Sequence, residues 1–143
     1  MTAPTIRVER RFAVAAERVF DAWLDPVWIG RFMFGSHLRD EHVVSLQNEP
    51  RVGGTFHYRV TRGGTEIDHT GTYREIERPR RLVFTWGVDA EQGDLSVVTI
   101  EIAPDGEGCV LTLTHALHPD WAAYAERTQT GWTKIVGDLA AAL

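Results

Sequence analysis

The segment "FAVAAERVFDAWLDPVWIGRFMFG", residues 12–35, changes from a strand pattern to a helical pattern within a few positions. Its first residues continue an alternation that begins at Ile6 and is typical of a β-strand. From Val19 the apolar residues recur three and four positions apart, which predicts a short helix. Asp25 and Pro26 then predict a helix end and a new start, with Asp25 as the N-cap. The segment therefore predicts one strand followed by two short helices.

The remainder of the chain predicts a sheet covered by one long helix. Alternating patterns predict strands between His42 and Leu117, and the pair Gly63-Gly64 predicts a two-residue hairpin turn. Apolar residues then recur at helical spacing in "PDWAAYAERTQTGWTKIVGDLAAAL", residues 119–143. Short connections favour antiparallel pairing, and the apolar stripe of the last helix suits one face of the sheet. The expected fold class is α+β, with Trp132 packed against the inner face.

Composition limits the class of protein. A chain of 143 residues predicts a single domain over 1–143, with its core at about 6–143. The net charge of −5 argues against nucleic acid as a partner, and no apolar run is long enough for a membrane span. The single cysteine, Cys109, excludes an internal disulfide. Charges near the N-terminus are unlike a secretory signal, so we expect a bacterial-type cytoplasmic protein.

The Gly63-Gly64 hairpin assigns residues to the two faces of the sheet. A two-residue loop pairs Arg62 with Thr65, and the same register pairs Tyr58 with His69 on a mostly apolar, inward face. His57 then lies on the other face, so His57 and His69 cannot bind one metal ion together. The histidines show no zinc-binding spacing, and we expect neither a metal nor a cofactor.

Polar groups on the inward face are the candidate functional groups. Tyr58 and His69 either satisfy each other or bind the polar end of a ligand in an apolar pocket. His115 shares the parity of inward residues, and it is either a core histidine or a second polar group of the pocket. Glu75 is a candidate inward acid unless a β-bulge near Arg74 turns it outward.

Five stretches together resemble the activator of heat-shock-protein-90 ATPase-like family, in the SRPBCC (START-like, helix-grip) superfamily. They are "RVFDAWLDPVWIGRF", "RVGGTFHY", "GTYREIERPRRLVFTW", "VTIEIAPDGEGCVLTLTH" and the Gly131-Trp132 pair. The resemblance implies a curved antiparallel sheet of about six to seven strands wrapped around the long C-terminal helix. It also implies an apolar cavity between the sheet and that helix, and no catalytic residue set.

The cavity wall supplies the candidate ligand-binding residues. They are Phe32, Phe34, Phe56, Tyr58, His69, Tyr73, Phe84, Trp86, His115, Tyr124, Thr128 and Trp132. Phe32 and Phe34 end the second helix beside a Gly-Ser turn, so we expect them to form a rim that gates the cavity. Ligand pockets usually exceed ~300 Å³. If no space above ~100 Å³ lies between the last helix and the strand that carries Tyr58, the binding hypothesis fails and the opening segment is plain core.

Three functions fit these features. The first is a binding domain for a small hydrophobic or aromatic molecule. The second is a polyketide-cyclase-like or hydrolase-like enzyme that uses His69, Tyr58 or Glu75 as acid or base. The third is a co-chaperone-like domain that binds a chaperone partner, for which an exposed apolar patch would be the expected feature. The expected oligomeric state is a monomer or a homodimer.

Overall fold

The elements follow the expected order of one strand, two short helices, a run of strands and a final helix. The structure is a computed structural model and describes residues 4–88 and 96–143, apart from the side chain of Asp120. Its elements are β1 (Thr5–Phe12), α1 (Ala16–Ala22), α2 (Pro26–Phe32), β2 (His42–Asn48), β3 (Thr55–Arg62), β4 (Thr65–Glu77), β5 (Arg81–Thr85), β6 (Gly87–Val88), β7 (Val97–Asp105), β8 (Gly108–Ala116), a 3₁₀ helix (Pro119–Tyr124) and α3 (Ala125–Ala142).

The strands form one curved antiparallel sheet. Its order is β1-β8-β7-β5-β4-β3-β2, and the short β6 pairs with β4. The sheet and the long α3 give the α+β helix-grip architecture that the sequence predicts. β1 and β2 are the two edge strands, so the strand that precedes α1 and the strand that follows α2 lie at opposite ends of the sheet. Among the described residues, no helix is both long enough and apolar enough to cross a membrane.

Local signals place the turns where the sequence predicts them. The Asp25 side chain accepts a hydrogen bond from the Val27 N–H at 2.9 Å, with Pro26 as the first helical residue. Such a cap stabilises a helix by about 1 kcal/mol. Gly63 and Gly64 have φ values of +55° and +81°, which residues with side chains adopt less readily. The resulting register pairs Tyr58 with His69, as expected.

The C-terminal segment differs from the prediction at its start. A 3₁₀ helix with non-helical backbone at Trp121 precedes α3, so the continuous helix begins only at Ala125. The side chain of Tyr124 is 54% exposed, with the Arg127 guanidinium 5.7 Å from its ring. Thr128 is partly exposed and its hydroxyl donates to the Tyr124 carbonyl at 2.8 Å. The predicted placement of Tyr124 on the cavity wall is therefore wrong, because the chain turns before α3 begins.

A row of buried side chains crosses the inner face of the sheet. Register pairs join its members across β4, β5, β7, β8 and β1: Tyr73, Phe84, Val98, His115 and Ile6. Trp132 of α3 is buried against this row, as the sequence predicts. Trp28 of α2, in contrast, is only half-buried.

A bulge in β4 sets which residues face the interior after Tyr73. Tyr73 pairs with Phe84, whereas Glu75 pairs with Val83, so the register shifts at Arg74. Glu75 is consequently exposed, and its carboxylate pairs with Arg81 at 3.3 Å. The bulge removes Glu75 as an inward acid.

Candidate functional site

Aromatic rings fill the interior between the sheet and the three helices. Phe56 lies at their centre: its ring stacks on Tyr58 at a centroid distance of 4.7 Å and lies 5.6–5.9 Å from Tyr73, Phe84 and Trp86. We call Phe34, Phe56, Tyr58, His69, Tyr73, Phe84 and Trp86 the aromatic cluster. Offset and edge-on ring pairs of this kind each contribute ~0.5–1.5 kcal/mol beyond burial.

Gly71 allows the Phe56 ring to lie directly on the backbone of β4. The two residues oppose each other in the β3–β4 register. A Cβ at position 71 would lie 2.4 Å from the Phe56 ring and 2.0 Å from the Thr85 carbonyl oxygen. Both distances are too short for any side chain, so glycine at this position permits the central ring of the cluster.

Two tyrosine hydroxyls meet inside the cluster. The hydroxyl oxygens of Tyr58 and Tyr73 are 3.3 Å apart, and the Asn48 amide donates to Tyr73 Oη at 3.0 Å. The same amide donates to the Leu24 carbonyl at 2.8 Å, which fixes its orientation. Burial raises the pKa of both Tyr58 and Tyr73 above the ordinary value, so both hydroxyls stay protonated.

His69 bonds to the backbone of Tyr58 and not to its hydroxyl. His69 Nδ1 donates to the Tyr58 carbonyl oxygen at 3.0 Å, which places a proton on Nδ1 of the neutral ring. Burial lowers the pKa of His69, so the ring is neutral at pH 7. The two residues therefore share the inward face as predicted, but their side chains do not satisfy each other.

His115 is held by the long helix. The Trp132 indole N–H donates to His115 Nδ1 at 2.9 Å, and the two rings lie 5.9 Å apart, nearly perpendicular. Burial lowers the pKa of His115 to about 4, so the imidazole is neutral at pH 7. His115 is buried, and its other nitrogen, Nε2, has no hydrogen-bond partner among the described residues.

Phe32 and Phe34 do not form an open rim. Both side chains are buried, and the Phe34 ring lies 4.7 Å from His69 and 5.8 Å from Tyr58. Phe32 packs edge-on against Trp23 at 5.1 Å. The two rings do not form an exposed rim, because Phe34 packs on Tyr58 of β3 and His69 of β4, while Phe32, the last residue of α2, packs on Trp23.

Glu41 holds that part of the chain in place. We call residues 33–41 the clamped loop. The buried Glu41 carboxylate accepts from the Gly35 N–H at 2.8 Å, from Arg39 Nη1 at 2.8 Å and from Arg62 Nε at 2.7 Å. Burial alone would raise the pKa of Glu41, but the Gly35 and Arg62 hydrogen bonds and the charge of Arg39 outweigh it and leave the pKa below its ordinary value. The loop is thereby joined to β3 by a paired, ionised carboxylate.

The space enclosed by these groups is small. A cavity of about 10 Å³ is lined by Trp23, Met33, Phe56, Tyr58, Tyr73, Phe84 and Trp86. Such a volume holds roughly one water molecule. The gap is well below the ~100 Å³ set as the limit, so the hypothesis of binding in a ready-made cavity fails, and the opening segment contributes buried core.

Four residues of this site were not among the sequence candidates. Trp23 and Met33 line the cavity, Asn48 bonds to Tyr73, and Glu41 anchors the clamped loop. Trp23 and Met33 lie in apolar helical patterns that also fit plain core, and Asn48 ends a strand. Glu41 lies in the charged run "RDEH" and has no local signal, because its burial depends on Arg62 of a distant strand.

Metal binding has no candidate group in the described part of the chain. Nowhere in residues 4–88 and 96–143 do three or more His, Cys, Asp or Glu side chains come together as ligands. His57 instead bonds Asp68 at 3.2 Å on the outer face, away from His69.

The curved sheet around α3 and its ring-filled interior define a helix-grip domain of the START-like SRPBCC superfamily. The family profile described as Activator of Hsp90 ATPase homolog 1-like protein matches residues 13–143, and the chain belongs to this family. The family and fold place the chain in a class of ligand-binding domains.

Solved structures agree with this assignment. A crystal structure of a protein from Chromobacterium violaceum is 27% identical, with a TM-score of 0.82 and coverage of 96% of this chain and 94% of that one. A protein from Rhizobium loti is 26% identical, with a TM-score of 0.80 and coverage of 98% and 96%. The solution structure of an AHSA1-like protein from Aeromonas hydrophila is 25% identical, with a TM-score of 0.79 and coverage of 96% and 90%. Among curated proteins, none matches the chain.

Proposed function

We propose that this chain binds a small, mainly apolar molecule with at least one ring, between the sheet and the three helices. The supporting observation is the convergence on one central gap of the strand-borne rings of Phe56, Tyr58, Tyr73 and Phe84 and of the Trp86 ring between β5 and β6. The two protonated tyrosine hydroxyls lie at the same gap. Apolar walls with a few fixed polar groups are the usual composition of a ligand site. The superfamily fold supports the same class of function.

Binding requires the interior to open. A gap of about 10 Å³ cannot hold a molecule of several rings, which needs on the order of 300 Å³. The clamped loop is the proposed moving part, because it covers the cluster through Phe34 and is joined to β3 through Glu41 and Arg62. The cost of opening lowers the apparent affinity by the fraction of open molecules.

A protein-interaction function has one supporting feature. Val43 and Val44 are exposed next to each other on β2, which is an edge strand of the sheet. Exposed apolar residues on an edge strand can pair with a strand of another chain, although the register shift between Val43 and Ser45 interrupts the regular edge at this point. The substitution Val44→Lys would disrupt a partner bound there and leave binding inside the domain unchanged, so the two functions are separable.

An acid–base function retains fewer of its candidates. Glu75 lies on the surface and pairs with Arg81, whereas His69 and Tyr58 remain inside. The buried position of the neutral His69 would suit a base only if a substrate reached it through the opened loop.

We also propose a cytoplasmic location. The lone Cys109 is buried as a free thiol, which suits a reducing compartment.

The test is a titration of isotope-labelled protein with 2-isopropylnaphthalene, followed by NMR. We expect saturable binding with intermolecular nuclear Overhauser effects from the probe to the rings of Phe56 and Tyr73. In Glu41→Gln the association rate should rise, whereas Glu49→Gln, a change to an exposed carboxylate paired with Arg51, should leave it unchanged. Probe contacts confined to the surface, or no saturable binding, would refute the proposal.

A further inference from the structure

Two buried N–H donors beside Trp132 have no acceptor among the described residues. They are Trp23 Nε1 and His115 Nε2, on side chains of residues that are only 3% and 2% exposed. Their rings flank Trp132 at centroid distances of 6.3 Å and 5.9 Å. Buried donors in folded proteins are nearly always hydrogen-bonded to an acceptor, so these two donors indicate that an acceptor binds beside them.

The hydrogen bond from Trp132 decides which nitrogen of His115 carries the proton. An indole N–H can only donate, so His115 Nδ1 must accept from Trp132 at 2.9 Å. The neutral imidazole then carries its proton on Nε2. Nε2 cannot become an acceptor unless the bond to Trp132 is broken, and Trp23 Nε1 is a donor in every state. Both N–H groups without an acceptor can therefore act only as hydrogen-bond donors.

These donors have a defined position relative to the gap in the aromatic cluster. Trp23 lies on the wall of the gap, which Phe84 and Trp86 also line. His115 lies two strands from Phe84 in the buried row, which corresponds to roughly 10 Å across the sheet. Trp132 contacts the rings of both residues and also the ring of Trp86, at a centroid distance of 5.2 Å. A molecule that enters the gap and displaces this contact meets one donor at the wall and the other further along the row.

We propose that the ligand of this site carries an oxygen acceptor of the carbonyl type, which accepts a hydrogen bond from Trp23 Nε1. His115 Nε2 then donates to a second acceptor further along the ligand. This inference rests on the proposed function and specifies its ligand class. A primary or secondary amine would place further N–H groups against these donors. The buried acid nearest the cluster, Glu41, is already bonded to Gly35, Arg39 and Arg62, so a cation gains no partner there.

The test compares two probes of nearly equal shape, 2-acetonaphthone and 2-isopropylnaphthalene, which differ by a carbonyl oxygen in place of a methyl group. We expect the ketone to bind about tenfold more tightly, because it satisfies a buried donor that the hydrocarbon leaves unpaired. The indole N–H resonance of Trp23 should move downfield with the ketone only. Trp23→Phe should bring the affinity ratio close to one, whereas Trp28→Phe, at a half-buried tryptophan of α2, should leave the ratio unchanged.

The outcomes separate this inference from the function on which it rests. Equal affinities for the two probes, both inside the domain, would overturn the acceptor requirement and leave the proposed function standing. Binding of neither probe would overturn both. A long-lived water that stays on the Trp23 N–H in the presence of bound ketone would also overturn the inference, because the water would then be the acceptor. A ketone preference that survives Trp23→Phe would assign the acceptor contact elsewhere and overturn it as well.

Discussion

Replacing Glu41 by glutamine should release the clamped loop. The wild-type carboxylate accepts three hydrogen bonds, from the Gly35 N–H and from the guanidinium groups of Arg39 and Arg62. Glutamine keeps one oxygen acceptor but turns an NH₂ group toward a donor and removes the negative charge. Breaking one side of a buried ion pair costs ~3–5 kcal/mol. The Arg39 and Arg62 side chains are 26% and 37% exposed and regain some hydration, so we expect a loss of about 2–3 kcal/mol.

Two measurements check this expectation. Urea denaturation at pH 7, followed by tryptophan fluorescence, gives the change in the free energy of unfolding. Hydrogen exchange of the Gly35 amide reports the loop directly, because that N–H donates to Glu41, and its exchange should accelerate in the variant. Glu49→Gln is the matched control: its partner Arg51 is 69% exposed, and exposed pairs contribute less than ~1 kcal/mol.

The pH dependence of the same variant gives an independent check. The folded-state pKa of Glu41 is below its ordinary value of 4.5. The ionised carboxylate therefore stabilises the fold above about pH 4.5, and this contribution is lost as the pH falls through the lower folded pKa. Glu41→Gln should lack that acid-side loss. If Glu41→Gln and Glu49→Gln unfold within 0.5 kcal/mol of each other, a magnitude typical of ordinary surface changes, and the Gly35 amide exchanges as in wild type, the clamp is not a stabilising contact.

Three further changes test the packing of the interior. The pKa of His115 falls from 6.5 to about 4 on folding, so its neutral ring contributes fully to stability above pH 6.5, and about 3 kcal/mol of the free energy of unfolding is lost by pH 4. Urea denaturation between pH 4 and 6.5 should show a weaker pH dependence of that free energy in His115→Gln, and the wild-type dependence in His42→Gln at an exposed histidine. The same pH dependence in all three proteins would refute the assignment. Gly71→Ala should lower the free energy of unfolding by at least ~2 kcal/mol because the new Cβ would clash with the Thr85 carbonyl oxygen. Gly131→Ala, with open space around the new Cβ, should be neutral or stabilising by up to ~1 kcal/mol. A Gly71→Ala protein as stable as wild type would contradict the close contact between position 71 and Thr85. Trp132→Ala should cost ~3–5 kcal/mol in denaturant melts, and a loss below 1 kcal/mol would place its side chain at the surface.

Features set by neighbouring residues were predictable from the sequence. The Asp25-Pro26 junction predicts its own helix boundary because the cap and the first-turn proline act within three residues. The Gly63-Gly64 turn predicts the register of β3 and β4, and with it the inward position of Tyr58 and His69. In both cases local backbone chemistry leaves few alternatives.

Features set by distant contacts were not predictable. The helical spacing of residues 119–143 continues through Tyr124, but the chain turns at Trp121 and leaves Tyr124 in solvent. Hydrophobic spacing alone does not report where a helix starts when no capping residue marks the start; here Tyr124 is the N-cap without a side-chain bond. The size of the cavity depends on how Phe34 and Glu41 settle against β3 and β4, which no local pattern encodes.

The bulge at Arg74 has a consequence for how β4 tolerates change. Before Arg74, the odd-numbered positions Gly71 and Tyr73 face the interior, and after it the even-numbered Ile76 packs against the core while Glu75 faces water. The alternation of inward and outward side chains along β4 therefore changes phase at Arg74. In a saturation library, acceptance of charged residues would alternate with one phase up to Tyr73 and with the opposite phase beyond it. Deleting Arg74 would remove the bulge: Tyr73, Glu75 and Ile76 would alternate regularly against Phe84, Val83 and Leu82, with Glu75 still in water and Ile76 still in the core.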